Sequence, residues 1–269
     1  MDLVALVGIG LLTGITTVLF GFGGGFVAVP VVVWADAALG ADALRVATAT
    51  SALVMVVNAG FATAVTPRRV LACLRGSRML LALLAVGASA GALATRIAPP
   101  GLARWAFVGY VVITIADLLL RPGFLRPHTP AEAESAGPRP LPPLLGAPVG
   151  AVSAFLGVGG SVMTVPAMRR AGHTMHAATA LANPLTLAIA LPAAVISLGG
   201  SGPATAMATH LHLVGLVDPG AAAALLVGAL PVLAVLRRHP PRIPDRAHSW
   251  AYIGLLALVV AAMLPSAWA

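Results

Sequence analysis

Two glycine-rich segments carry the residue types best suited to hold a small anion. Residues 21–30 read GFGGGFVAVP and residues 157–166 read GVGGSVMTVP, and five of the ten positions are identical. A glycine break in a helix exposes amide N–H groups and the positive end of the following helix, and it lets a ligand approach the backbone closely. Glycine-rich stretches also let membrane helices pack closely, which is the alternative interpretation. The predicted substrate-binding residues of these segments are Gly23, Gly24, Gly25, Gly159, Gly160 and Ser161.

Hydroxyl and amide side chains follow both segments in the same order. Ala47-Thr48-Ala49 follows the first segment and Ala178-Thr179-Ala180 follows the second, which indicates a duplication. Such side chains could complete the hydrogen-bond shell of an oxyanion, although Ser and Thr in membrane helices often bond to their own backbone. An asparagine in the middle of a helix either faces the site or joins two helices. The candidates are Thr48, Thr50, Ser51, Asn58, Thr179 and Asn183.

Three prolines predict interruptions of these helices. Proline has no backbone N–H and clashes with the preceding helical turn, so it ends a helix or occupies the first turn of a new one. Pro30 and Pro166 close the two glycine segments, and Pro184 follows Asn183 directly. We expect a helix break at each of the three.

Two charged residues are candidates for roles in transport. Arg45 precedes the helix that contains Thr48, where it either attracts an anion from the outer side or extends into the lipid headgroups. Asp117 would serve proton coupling if it faced a cavity. The alternative is an ion pair with Arg121, four residues later on the same helix face. His210 and His212 have no nearby carboxylate and Cys73 is the only cysteine, so we expect no metal and no cofactor.

The composition restricts the class of protein that must position these residues. The 269 residues are 59% hydrophobic and 9% charged, whereas a soluble domain is roughly a quarter charged. Ten continuous apolar segments can be read along the chain, three of them too short to span a bilayer. Only helices cross lipid without leaving backbone groups unsatisfied, and period-two alternation typical of a barrel is lacking. The sequence therefore predicts an all-α polytopic membrane protein.

Charge placement predicts two inverted halves. The net charge of +8 comes from sixteen arginines against eight acids, and this balance could suggest nucleic acid binding. Thirteen arginines fall on one side when the segments are threaded through a membrane, so the charge reads instead as a positive-inside signal and we expect no nucleic acid partner. The predicted divisions are a first repeat at 1–120, a cytoplasmic linker at 121–143 and a second repeat at 144–269, with both termini outside. Each half then has five elements, including a broken or re-entrant hairpin at its glycine segment.

At these residues the chain resembles a known family. GFGGGFVAVP followed by ATATSAL, and GVGGSVMTVPAM in the second half, are similar to the paired signatures of the TauE/SafE family of anion permeases. The resemblance implies transport of sulfite, organosulfonates or related anions across the bacterial inner membrane, with proton coupling by family analogy. The halves differ after their helix starts, where Thr50-Ser51 stands in one and Leu181-Ala182 in the other.

The residues and the resemblance together favour a secondary transporter. We expect it to move a small anion, sulfite or an organosulfonate, by alternating access at a midplane site between the two helix breaks. An intramembrane enzyme is the second hypothesis, but HExxH is absent and Ser161 has no evident base. An anion channel is the third. Gly87 and Gly91 form a GxxxG pair, which predicts either a homodimer contact or close packing within one chain.

Overall fold

The computed structural model is built from helices throughout the residues that it describes, which are 3–35, 37–121, 123–125, 139–200, 212–239, 241 and 243–268. Within these ranges no strand forms, and a single isolated bridge joins Val214 and Val217. The helices of the first half are α1 (Leu3–Phe20), α2 (Gly25–Ala35), α3 (Ala43–Ala64), the short α4 (Arg68–Leu71), α5 (Arg78–Ile97) and α6 (Pro100–Leu120). Those of the second half are α7 (Gly146–Leu156), α8 (Ser161–Arg170), α9 (Met175–Leu198), α10 (Pro219–Arg238) and α11 (Asp245–Trp268).

The helices confirm the expected all-α polytopic membrane protein. Six of them are long and apolar enough to cross a bilayer, namely α3, α5, α6, α9, α10 and α11. Large apolar side chains such as Val86, Ile113, Val227 and Leu258 lie exposed on their outer faces. Because such surface is unfavourable in water, these faces are suited to contact lipid acyl chains.

Both glycine segments are breaks between two helices. Helix α1 ends at Phe20 and α2 begins at Gly25, whereas α7 ends at Leu156 and α8 begins at Ser161. The φ angles are positive at Gly21 (72°), Gly23 (62°) and Gly24 (87°), and again at Gly157 (69°) and Gly159 (70°). Residues with a side chain rarely adopt this left-handed conformation, so glycine is what permits the two turns.

The prediction that prolines break the helices is wrong. Pro30 lies inside α2, Pro166 lies inside α8 and Pro184 lies inside α9. Each proline removes one backbone donor, but membrane helices tolerate this loss where neighbouring helices and local adjustments compensate. The breaks occur instead at the left-handed glycines that precede α2 and α8.

The two halves exchange contacts, because the first helix of each half packs on a helix of the other half. Helix α1 packs most extensively on α10, and α7 packs most extensively on α5. Glycines allow both contacts: a Cβ on Gly10 would lie 2.4 Å from the carbonyl oxygen of Leu225, and one on Gly146 would lie 2.7 Å from that of Leu80. Both glycines lie eleven residues before the first glycine of their segment. The same helix pairing therefore occurs twice in the chain.

Helices α3 and α9 occupy the centre and run antiparallel. The middle of each helix, at Met55 and Thr186, lies against both glycine turns. The first part of α3, at Ala49 and Ala52, lines a small cavity together with the last part of α9, at Ala193. The start of one helix therefore lies beside the end of the other.

Two predicted features fall largely outside the described residues. Positions 126–138 make up most of the predicted linker, and the loop with His210 lies in 201–211. The GxxxG pair, in contrast, is described: Cβ atoms on Gly87 and Gly91 would lie 2.0 and 2.1 Å from the carbonyl oxygens of Ala147 and Ala151. These two glycines thus pack within one chain, and a homodimer stays a prediction.

Candidate functional site

The two glycine turns meet between the central helices. A Cβ on Gly23 would lie 2.9 Å from Thr186 Cγ2, and one on Gly159 would lie 3.1 Å from the same atom and 3.4 Å from the carbonyl oxygen of Phe22. All residues from 21 to 26 and from 157 to 162 are buried. The structure therefore brings together the predicted residues of both segments in the interior of the protein.

Asn58 is the polar side chain closest to the first turn. A Cβ on Gly24 would lie 2.7 Å from Asn58 Nδ2, so the glycine provides room for this amide. Asn58 is fully buried, and neither Nδ2 nor Oδ1 has a hydrogen-bond partner. Because a buried amide without a partner is destabilising, Asn58 is well suited to a ligand that would bond to it.

Further hydroxyl groups without partners lie around the second turn. Ser161 begins α8 and its hydroxyl is buried without a hydrogen bond, as are the hydroxyls of Thr164 and Thr186. Asn183 donates through Nδ2 to the carbonyl oxygen of Thr179 at 3.2 Å, whereas its Oδ1 has no partner. Of these groups, Thr186 lies against both turns, Thr164 lies against Gly160, and Ser161 follows Gly160 directly.

Sequence reasoning missed two of these residues, Thr164 and Thr186. Thr164 lies within the second glycine segment, where the first segment has Ala28, and this difference was a readable signal. Thr186 follows Asn183 by three positions, a spacing that places both on one helix face. Its proximity to both turns depends on how α9 crosses α3, which the sequence does not reveal.

Three of the predicted hydroxyl residues bond to backbone carbonyls instead. Thr48 donates to Leu44 O at 2.8 Å, and Thr179 donates to His176 O at 3.1 Å. Ser51 contacts both Thr48 O (2.9 Å) and Gly157 O (3.0 Å), so it ties α3 to the second turn. These residues lie beside the turns and fix the backbone there, and their direct contact with substrate stays a prediction.

Thr50 lies away from the turns. Its hydroxyl oxygen accepts a hydrogen bond from the backbone N–H of Asp218 at 2.9 Å. Asp218 in turn caps α10 by accepting from the N–H groups of Gly220 and Ala221. Thr50 thus connects α3 to the start of α10, and the structure does not bring it to the candidate site.

Arg45 lies at one mouth of the central helix pair. It donates to the carbonyl oxygen of Ala98 at 2.8 Å and contacts Asp42 Oδ1 at 3.4 Å. It lines the small cavity that also reaches Thr48 and Ala154, the latter on α7 just before the second turn. An anion entering from this mouth would pass Arg45 before the turn.

Asp117 takes part in two ion pairs. Its carboxylate lies 3.1 Å from Arg121 Nε and 2.6 Å from Arg170 Nη2. The first contact is the expected pair within one helix, and the second joins α6 to the end of α8. The structure thus places Asp117 among cations near helix ends, and its role in proton coupling stays a prediction.

A buried arginine organises the same end of the protein. Arg169 is 3% exposed and lies 2.6 Å from Asp245 Oδ2, which is 33% exposed. Asp245 Oδ1 also accepts from the N–H of Met175 at 2.9 Å, so this carboxylate links the starts of α9 and α11 to the end of α8. Burial lowers the pKa of His173, whose carbonyl oxygen accepts from Arg169. The network holds the helix ends around the loop between α8 and α9.

The site combines positive potential with neutral donors. Helices α2 and α8 both begin at the turns, and the first N–H groups of a helix have no partner within it. Among the residues that the structure describes, the carboxylates are Asp42, Asp117, Asp218 and Asp245, which all lie at or near helix ends. Helix N-termini without a neighbouring carboxylate favour a small anion.

Comparison with known proteins agrees with this chemistry. A protein-family model described as sulfite exporter TauE/SafE matches residues 6–263, nearly the whole chain. No curated protein matches the chain. No solved structure matches it either.

Proposed function

We propose, from the premise that the chain belongs to the sulfite exporter TauE/SafE family, that it is a secondary transporter which exports sulfite or an organosulfonate. Membership indicates a multi-pass transporter of anions rather than an enzyme. The bacterial inner membrane is its proposed location, with the linker at 121–143 cytoplasmic and both termini outside. The transported anion, the direction and the orientation are the parts that experiment must establish.

The amide of Asn58 beside Gly24 is the observation that carries the proposal. Both of its polar atoms are buried without partners, beside the turn from which α2 begins. The first N–H groups of a helix have no partner within it and can bond to a ligand. Thr186 lies against both turns, and Ser161 and Thr164 lie at the second turn, each with a hydroxyl that has no partner. A sulfite or sulfonate group has three oxygens that accept hydrogen bonds, so it can bond to donors from both turns at once.

The exchanged packing of the two halves supports alternating access. We propose that the repeats are inverted, because the equivalent helices α3 and α9 run antiparallel and pack on each other at mid-length. A site at their crossing lies at equal depth from both faces, as in other inverted-repeat transporters. Motion of one half against the other would expose this site to one side at a time.

The substrate shell is expected to differ between the two halves. Asn58 lies against Gly24, whereas Ile189 occupies the corresponding place against Gly160. Thr186 and Met55 are a second pair of unlike residues at the turns. We propose that the anion is bound by Asn58 from the first half and by Ser161, Thr164 and Thr186 from the second.

Transport by purified protein in liposomes tests the proposal. Vesicles loaded with sulfite should release it faster than protein-free vesicles, and taurine or sulfate added as competitors would define the class of anion. Thr186→Val replaces the hydroxyl with a methyl group and should slow the flux. Thr114→Val is the matched control, because the Thr114 hydroxyl on α6 already bonds to Tyr110 O at 2.8 Å.

Three results would contradict the proposal. The first is a wild-type flux no higher than that of empty vesicles for every anion offered. The second is equal flux for Thr186→Val and wild type at equal protein content, which would place the site elsewhere. Single-channel currents in planar bilayers would replace the carrier mechanism with a channel.

A further inference from the structure

Arg237 is a partly buried cation whose hydrogen-bonding capacity is mostly unused. It lies in the last turn of α10, and its Nη1 donates to Thr66 Oγ1 at 3.3 Å. Its Nε and Nη2 are both buried and have no partner. In the described part of the chain, no carboxylate lies within ion-pair distance of this guanidinium.

The other arginines in the protein interior are differently placed. Arg169 and Arg170 each pair with a carboxylate at 2.6 Å, and Arg45 and Arg96 donate to backbone carbonyl oxygens. Among the arginines that the structure describes, Arg237 alone has a terminal guanidinium nitrogen that is buried without a partner. Burying the donors of a cation without a partner is unfavourable. The hydrogen bond to Thr66 uses only Nη1, and within the described residues nothing bonds to Nε or Nη2.

The two free nitrogens form one edge of the guanidinium group. Nε and Nη2 donate in parallel, which matches two oxygens of a single oxyanion. Thr66 already donates its own hydroxyl proton to Ala62 O at 2.7 Å, so it orients Nη1 and leaves this edge free. The geometry suits a bidentate contact with one small anion.

Arg237 lies at the mouth opposite the Arg45 cavity. Thr66 follows Thr48 by eighteen residues in α3 and its turn, and Ser197 follows Thr179 by the same number in α9. Ser197 lines the cavity at the first mouth, whereas Arg237 contacts Thr66 at the second. Thr66 is eight residues beyond Asn58, which corresponds to about 12 Å along a helix. Arg237 thus lies near the end of α3, next along the chain to the helix that begins with Arg68 and Arg69.

We propose that Arg237 and Thr66 form a second anion-binding site at the arginine-rich mouth of the transporter. This site binds a small oxyanion of the sulfite and sulfonate class through the Nε and Nη2 edge before the anion reaches Asn58. The inference rests on the proposed function, since it assigns the entry site of the same pathway. By the positive-inside rule, this mouth faces the cytoplasm, where an exporter must collect its substrate.

The test compares Arg237→Gln and Arg237→Lys with Arg238→Gln in the full-length protein. Arg238 is the exposed neighbour in the same helical turn, so it controls for loss of one positive charge. The initial rate of sulfite transport is measured against sulfite concentration in liposomes. Thermal unfolding in detergent is measured without sulfite and with it.

Removal of the guanidinium should weaken sulfite binding without weakening the fold. We expect Arg237→Gln to raise KM for sulfite at least tenfold, and its unfolding temperature without sulfite to stay equal or rise. Arg237→Lys keeps the charge but loses the paired donors, so its KM should lie between the KM of wild type and that of Arg237→Gln. Arg238→Gln should match wild type in both measurements.

The opposite pattern would overturn the second site. A lower unfolding temperature for Arg237→Gln with unchanged KM would show a structural residue, as would loss of folding in Arg237→Gln and Arg237→Lys alike. Wild-type transport of sulfite with no effect of either Arg237 variant would refute the inference and leave the proposed function standing. Absence of both transport and sulfite-dependent stabilisation in wild type would refute the two together.

Discussion

Replacement of Asn58 by leucine separates a ligand-binding role from a structural role. Leucine reproduces the branched shape of asparagine but carries no polar atoms. Neither Nδ2 nor Oδ1 of Asn58 has a partner, and the side chain is fully buried. An unsatisfied buried polar group is unfavourable by about 1–3 kcal/mol. We therefore expect Asn58→Leu to raise the free energy of unfolding by about 2 kcal/mol in the absence of substrate.

The same substitution should weaken anion binding. A hydrogen bond to a charged group contributes about 1.5–3 kcal/mol, which corresponds to a loss of affinity of roughly 10- to 150-fold. For a protein of this size, the gain in stability without anion corresponds to a rise in Tm of about 4–8 °C. Stability and function thus change in opposite directions, as is common at binding sites.

Two measurements on the same preparation check this prediction. Thermal unfolding in detergent without anion gives the change in stability, and sulfite titration gives the change in Kd. Ile189→Val is the matched control, because Ile189 is buried against the equivalent turn at Gly160. It should lose about 0.5–1.5 kcal/mol of stability and keep its affinity. A destabilised Asn58→Leu protein with wild-type affinity would refute the reasoning, since Asn58 would then join helices.

Three further outcomes are expected. Gly24→Ala should lower transport and stability more than Gly160→Ala, because φ is +87° at Gly24 but −75° at Gly160. Equal effects of the two variants in a flux assay and a melting assay would show that the left-handed conformation at Gly24 is not required. Arg169→Gln should destabilise the protein by about 3 kcal/mol in thermal unfolding, at the lower end for buried pairs because its partner Asp245 is partly exposed; no change would show that this ion pair is energetically neutral. His173→Gln should reduce the loss of stability on acidification. Burial lowers the pKa of His173, so the unfolded chain binds the proton more readily than the folded protein. Stability therefore falls as pH drops from about 6.5 through the lower folded pKa. Equal losses of stability in the variant and wild type across that pH window would contradict this.

The sequence predicted the elements and the breaks because both depend on local chemistry. The lengths of the apolar segments predicted the helices. The glycines with positive φ form both turns without the backbone strain that a side chain would add. The prolines misled because a proline inside a membrane helix removes one hydrogen bond without ending the helix. Pro30, Pro166 and Pro184 therefore lie within helices rather than between them.

The side chains that surround the candidate site were harder to predict from the sequence. Asn58 was recognised because an amide in the middle of an apolar helix is unusual. Thr50 was included for its position near the helix start, but it bonds to Asp218 because α3 turns that side chain toward α10. Thr186 and Arg237 acquire their surroundings from helices distant in sequence, through the antiparallel crossing of α3 and α9 and the docking of α10. Such contacts are set by tertiary packing, which single-sequence patterns do not encode.

The exchanged pairing of helices has a consequence for biogenesis. Helix α1 finds its main neighbour in α10, which the ribosome completes only after about 200 further residues have been synthesised. During that interval the translocon can release α1 into the bilayer, but its glycine face stays in contact with lipid. The most extensive packing of α1 and of α7 is therefore with the other half of the chain. Coexpressed fragments corresponding to the two halves would have to find each other in the bilayer before either could reach its native packing.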